Sequence, residues 1–183
     1  MITLLDPAQY RRTPWKNGGG VMIEIAEAGD TWRLSRTSIV DPGPFSDYSG
    51  CERVQVVVAG RGLVLQTPDG EIDVRTPFKP VRFAGETPIT SRLEEGPVEV
   101  VNLIGQRAAV HVDLAILRAG QSLALRPGTH IAYCAGGPAR LEAGGKQYAL
   151  AADHGLRIEA PGSTMLAVPG GRVIVASITP NIT

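Results

Sequence analysis

The chain has 183 residues, 43% hydrophobic and 20% charged, with 18 basic and 18 acidic side chains. That balance excludes a general nucleic-acid binder, which needs a basic excess, and it excludes charged tails. Two cysteines are too few for a disulfide framework, the opening MITLLDPAQYRR lacks the apolar core of a signal peptide, and no apolar run approaches the roughly 18 residues of a membrane helix. A cytoplasmic protein with reduced thiols and no membrane partner is expected.

In chain order, Asp6-Pro7 followed by Gln9 predicts one short helical turn, with Asp as N-cap and Pro at the first helical position. The next segment, PWKNGGG from Pro14 to Gly20, reads two ways. Consecutive glycine N–H groups can form an anion-binding nest beside Lys16, or Asn17-Gly18 can turn the chain so that Trp15 caps an apolar end. VMIEIAEA from Val21 and TWRLSRTSI from Thr31 alternate with period two, and Gly29-Asp30 supplies the turn between them. DPGPFSDYSG, from Asp41, is a Pro/Gly-rich loop of the kind that carries function. RVQVVVAG, GLVLQTPDGEIDVR, VEVVNLIG and AAVHVDLAIL continue the strand pattern, with a hairpin at Pro68-Asp69-Gly70. Gly and Pro together number 36, which fits many short strands joined by tight turns. The prediction is an all-β chain with very little helix.

The second half then repeats the first. VVVAGRGLVLQTPDGEIDVR aligns with AYCAGGPARLEAGGKQYALA, placing Gly60 against Gly136, Leu65 against Leu141 and Gly70 against Gly145. FAGETPITSRLEEGPVEVVNLI aligns with IEAPGSTMLAVPGGRVIVASI, ending with Ile104 against Ile178. A displacement of about 75 residues is too long for a solenoid unit and suits a duplicated β-barrel. The predicted domains are 1–107 and 108–183, with Val110 to Pro127 bridging them. Long open strand edges on such barrels tend to be covered, which points to a homodimer.

Arg33 and Ser35 share one face of their strand, opposite Trp32 and Leu34. Either that face meets solvent, or it lines a barrel mouth where Arg33 offers a planar fork to a carboxylate. Asn102 interrupts an apolar strand and must find partners, in a neighbouring loop or in a ligand. Arg53 opens another apolar strand. It pairs with Asp47 or Glu24, or it stands as a second cation beside Arg33, where a bound anion would relieve their repulsion. Phe45, next to Ser46, plugs the core or lids the mouth.

Only His111, His130 and His154 exist, in separate segments and without a His-X-His. His111 and Asp113 would share a strand face, yet no third ligand stands near, so no metal and no cofactor is expected. Neither Cys51 nor Cys134 neighbours a His or lies in a nucleophile elbow.

The run AGRGLVLQTPDGE between strands has the cadence of a cupin. More specific is the ordered set PWKNGGG, WRLS, GPFSDYSG, PFKPVRFAGE and VEVVNLIGQR, by which the chain resembles the HutD/Ves family of two-cupin proteins, from Thr13 to Arg107 above all. Cys51 and Glu52 depart from the family pattern before a retained Arg53. The resemblance implies a bicupin, a cytoplasmic accessory role in histidine utilisation and no established catalysis. It also implies a small carboxylate ligand such as formylglutamate. The expected binding set is Lys16, Asn17, Gly18, Gly19, Arg33, Ser35, Phe45, Ser46, Arg53 and Asn102, with no catalytic residue. The alternative is a metal-independent isomerase, epimerase or hydrolase using the same pocket. It is disfavoured because no His, the commonest general base, precedes residue 111.

Overall fold

A computed structural model describes residues 1–14 and 20–181. The chain opens with β1 (Ile2–Leu5) and a single 3-10 turn, Pro7–Gln9. The predicted cap is there: the Asp6 carboxylate accepts the Ala8 N–H at 2.8 Å. Everything that follows in regular structure is strand, and no helix among the described residues is long and apolar enough to cross a membrane.

Nine of the strands lie in one compact unit, Tyr10–Ala109. These are β2 (Arg11–Pro14), β3 (Val21–Ala28), β4 (Trp32–Ile39), β5 (Cys51–Ala59), β6 (Leu63–Thr67), β7 (Gly70–Val74), β8 (Val81–Ala84), β9 (Thr90–Leu93) and β10 (Val98–Gln106). They form an antiparallel sheet of order β2-β3-β4-β10-β5-β8 and a smaller one of order β7-β6-β9. The turns are the predicted ones: Thr31 N–H closes on Ala28 C=O at 3.0 Å, and Thr67 and Gly70 are registered across the Pro68-Asp69 hairpin. Side chains from both sheets meet in a core of Ile39, Val57, Leu63, Leu65, Val98 and Val100. Each Leu, Ile or Val buried there contributes about 1.5–3 kcal/mol.

The second unit joins Met1–Gln9 to the chain from Val110 onward. It contains β1, β11 (Val110–Arg118), β12 (Gln121–Leu125), β13 (Gly128–Tyr133), β14 (Ala139–Ala143), β15 (Lys146–Leu150), β16 (Gly155–Ala160), β17 (Thr164–Gly170) and β18 (Arg172–Pro180). Its sheets run β1-β16-β13-β18-β11 and β12-β17-β14-β15. The central pairings recur in both units. β5 lies between β8 and β10 as β13 lies between β16 and β18; β6 lies between β7 and β9 as β14 lies between β15 and β17.

Two expectations need correcting. The sheets are open, so neither unit is a barrel closed by hydrogen bonds. The first nine residues leave the 1–107 segment: Ile2 to Leu5 pair antiparallel with Ile158 to Gly155, and Ile2 packs into the core of the second unit. Apolar burial and four registered residues hold them there, a long-range pairing that local pattern does not carry.

A candidate ligand site on the inner face of the larger sheet

Because strand side chains alternate, the residues that share a face with the core can be followed along each strand. Ile39, Val57, Val98 and Val100 belong to the core of the Tyr10–Ala109 unit. Two and four residues beyond Val57 and Val100, towards the other end of the strands, polar and charged side chains enter the same face. One cross-strand row reads Glu24, Ser35, Asn102, Gln55; the next reads Glu27, Arg33, Ile104, Arg53, Phe83. Ser35, Gln55, Asn102, Arg53 and Glu24 are all buried. Arg33 therefore does not face open solvent from an outer surface.

A cleft of about 270 Å³ opens at the end of this face, with Glu24, Glu27, Arg33, Tyr48, Cys51 and Ile104 among its walls. Arg33 donates from Nη2 to the Tyr48 hydroxyl at 2.9 Å, and its guanidinium lies 5.6 Å from that ring's centre. Arg53, across Ile104, is set back from the cleft wall. Its guanidinium is 5.0–5.2 Å from the ring centres of Phe45, Tyr48 and Phe83, a cage of three aromatic faces. Tyr48 thus touches both cations.

The Tyr48 backbone is clamped. Its N–H donates to Gly85 C=O at 3.0 Å, Gly85 N–H donates to Cys51 C=O at 2.8 Å, and Cys51 N–H returns to Tyr48 C=O at 3.1 Å. A Cβ at position 85 would stand 2.2 Å from the Tyr48 carbonyl oxygen, so the approach requires glycine.

The cations are not neutralised by the carboxylates the sequence offered. Glu24 pairs with Arg11 at 2.7 Å, and Asp47 accepts the Ser49 hydroxyl at 2.9 Å. Among the described residues neither Arg33 nor Arg53 has an ion-pair partner, and both Nε atoms are buried without a hydrogen bond. Burial pushes the Arg53 guanidinium down to about 10, and the Arg33 charge pushes the same way against Tyr48 and Cys51. It stays protonated at neutral pH. Among the described residues, the fully buried Gln55 has neither end of its amide bonded, and Asn102 Oδ1 is also without a partner.

Of the residues singled out from sequence, the structure brings Arg33, Ser35, Phe45, Arg53 and Asn102 onto or against one face. Phe45 is both core plug and cage wall, since it also packs against the apolar cluster. Ser46 is exposed beside it. Lys16, Asn17, Gly18 and Gly19, with Trp15, lie outside the described residues. Sequence reasoning missed Gln55, Tyr48 and Phe83 as members. Gln55 was findable, because it interrupts an apolar strand as Asn102 does. The described residues contain no group of three or more His, Cys, Asp or Glu arranged to hold a metal.

Comparison with known proteins adds independent findings. A family model described as HutD matches residues 7–175. An uncharacterized 21.2 kDa protein in the hutC 3' region of Pseudomonas putida is 35% identical over 109 residues, 56% of this chain and 57% of that one. Protein Ves of Escherichia fergusonii is 31% identical over 91 residues, 47% of this chain and 48% of that one. The chain spans about half the length of these curated relatives. HutD from Pseudomonas fluorescens SBW25, solved in a formate condition, has a TM-score of 0.84 at 26% identity, covering 100% of both chains. A conserved protein of unknown function from Pseudomonas aeruginosa PAO1 reaches 0.87 at 24% identity with the same coverage, a likeness of fold.

Proposed function

This chain belongs to the HutD family, and on that premise we propose that it is a non-catalytic accessory or regulatory protein of histidine utilisation that binds a small carboxylate in the Tyr10–Ala109 unit. One observation carries the reading. Two arginines flank Ile104 on an inward sheet face, one of them 6% exposed, and both Nε atoms are buried without a hydrogen bond, while Glu27 stands opposite Arg33 across β3 and β4. A buried cation without a counter-charge is costly. An anion entering by way of Arg33 and Tyr48 would relieve it, and the Arg guanidinium fork suits a carboxylate. The family's link to histidine breakdown makes formylglutamate or a related acid the candidate. Binding rather than turnover is favoured because no His, the usual general base, occurs before residue 111. We read the shared pairing scheme of the two units as a duplicated cupin-like fold, and the working form as a homodimer.

The test is a thermal-shift titration with formylglutamate, glutamate, urocanate and formate. At 100 times Kd a ligand adds about 2.7 kcal/mol, and 1 kcal/mol moves Tm by about 2–4 °C in a chain of this length. A shift with one acid that disappears in Arg53→Ala supports the reading. No shift with any acid, or a shift retained in both Arg53→Ala and Arg33→Ala, refutes it.

A further inference from the structure

We propose that Tyr48 is the gate of this site: in the free protein its side chain blocks the way from the cleft to Arg53, latched by Arg33, and binding swings it aside while its backbone stays fixed. This rests on the carboxylate reading above and adds a moving part to it. Arg53 is enclosed by Phe45, Tyr48 and Phe83. Phe83 is a buried member of the apolar cluster and Phe45 packs against it. Neither lines the cleft, whereas Tyr48 does, together with Arg33. Of the three walls around Arg53, Tyr48 is therefore the one that parts that guanidinium from the cleft.

The same side chain stands in for a ligand. Its hydroxyl accepts from Arg33 Nη2 at 2.9 Å, a bond that a carboxylate oxygen would make more strongly. Its ring lies 5.6 Å from the Arg33 guanidinium and 5.2 Å from that of Arg53, offering a quadrupole where a full counter-charge would attract more. The backbone decides what can move. Ser91 N–H donates to Gly43 C=O at 2.8 Å, Phe45 N–H donates to Ile89 C=O at 2.8 Å, and Tyr48 is tied to Gly85 and Cys51 as described. Lifting the loop as a lid would break all of these. Turning the half-buried Tyr48 side chain from one staggered rotamer to another breaks the Arg33 bond and leaves them intact. Only the open fraction binds, so the latch weakens the measured affinity, and removing it strengthens binding.

The probes are formylglutamate, glutamate, urocanate and formate, each titrated into wild type and Tyr48→Phe, which keeps the ring and the cage but drops the latch. An acid that binds should bind Tyr48→Phe about three- to tenfold more tightly than wild type, with the ligand-free Tm of both measured to confirm folding. In wild-type protein carrying 3-fluorotyrosine at its four tyrosines, the ¹⁹F resonance lost in Tyr48→Phe should move on saturation. That of Tyr133, bonded to Asp153 in the other unit, should stay. Weaker binding in Tyr48→Phe, which makes the hydroxyl a ligand contact, overturns the gate and leaves the carboxylate site standing. So do affinities equal within about twofold, which make Tyr48 a fixed plug, and a Tyr48 resonance that does not move. Binding of none of the four acids to either protein overturns the gate and the carboxylate reading together.

Discussion

The two units place polar groups at matching positions and treat them differently. Gln55 faces Asn102 across β5 and β10, and His130 faces Ser177 across β13 and β18, each 75 residues further along. In the second unit the pair is complete. The Arg126 carbonyl can only accept, so His130 Nε2 donates to it at 2.8 Å, and Nδ1 accepts the Ser177 hydroxyl at 2.9 Å. Burial holds the imidazole below its ordinary value of 6.5, in its neutral form. In the Tyr10–Ala109 unit, among the described residues, both ends of the Gln55 amide and the Asn102 Oδ1 lack a hydrogen-bond partner. The polar groups at this place are satisfied from within the second unit and left unsatisfied in the first.

Substitutions at four positions test that contrast. The largest effect belongs to the shared cores, where Leu65 and Leu141 occupy matching strands and are 0% and 1% exposed. Leu→Ala at either should cost about 2–5 kcal/mol in chemical denaturation, and a much smaller cost at one would break the equivalence of the two units. Next is His130→Leu, which orphans the Ser177 hydroxyl and the Arg126 carbonyl and should cost about 1–3 kcal/mol. The same histidine sets a pH dependence. Its folded value lies below 6.5, so under pH 6.5 the unfolded chain takes up a proton that the folded protein refuses, and stability falls as pH falls. His130→Gln should flatten that part of the Tm profile between pH 7 and 5. The smallest effect has the opposite sign: Gln55→Met removes two unsatisfied atoms and should raise ligand-free stability by about 1 kcal/mol. A loss there would mean that Gln55 is already bonded.

Much of the framework was legible in the sequence. Period-two alternation put Arg33 and Ser35 opposite Trp32 and Leu34, and the Pro68-Asp69 turn fixed one hairpin by local chemistry. The rest depended on which strands become neighbours. Nothing in RVQVVVAG says that Gln55 will face an asparagine 47 residues away, because that register comes from a ladder of backbone bonds set by distant packing. The aromatic cage was hidden for the same reason, with Phe45 and Tyr48 on a loop and Phe83 on β8 converging on Arg53. A sequence contact such as Arg53 with Glu24 looked equally plausible until Arg11 claimed the carboxylate.

The placement of β1 has a consequence for how the protein is made. It leaves the ribosome before the other described strands, yet its partner β16 begins at Gly155. At 5–20 residues per second, about 8–30 s separate the two. For the last about 2–10 s of that interval, after Gln106 has emerged and the strands of the intervening unit are all in hand, that unit has time to fold, while Ile2 and Leu4 wait without a sheet to join.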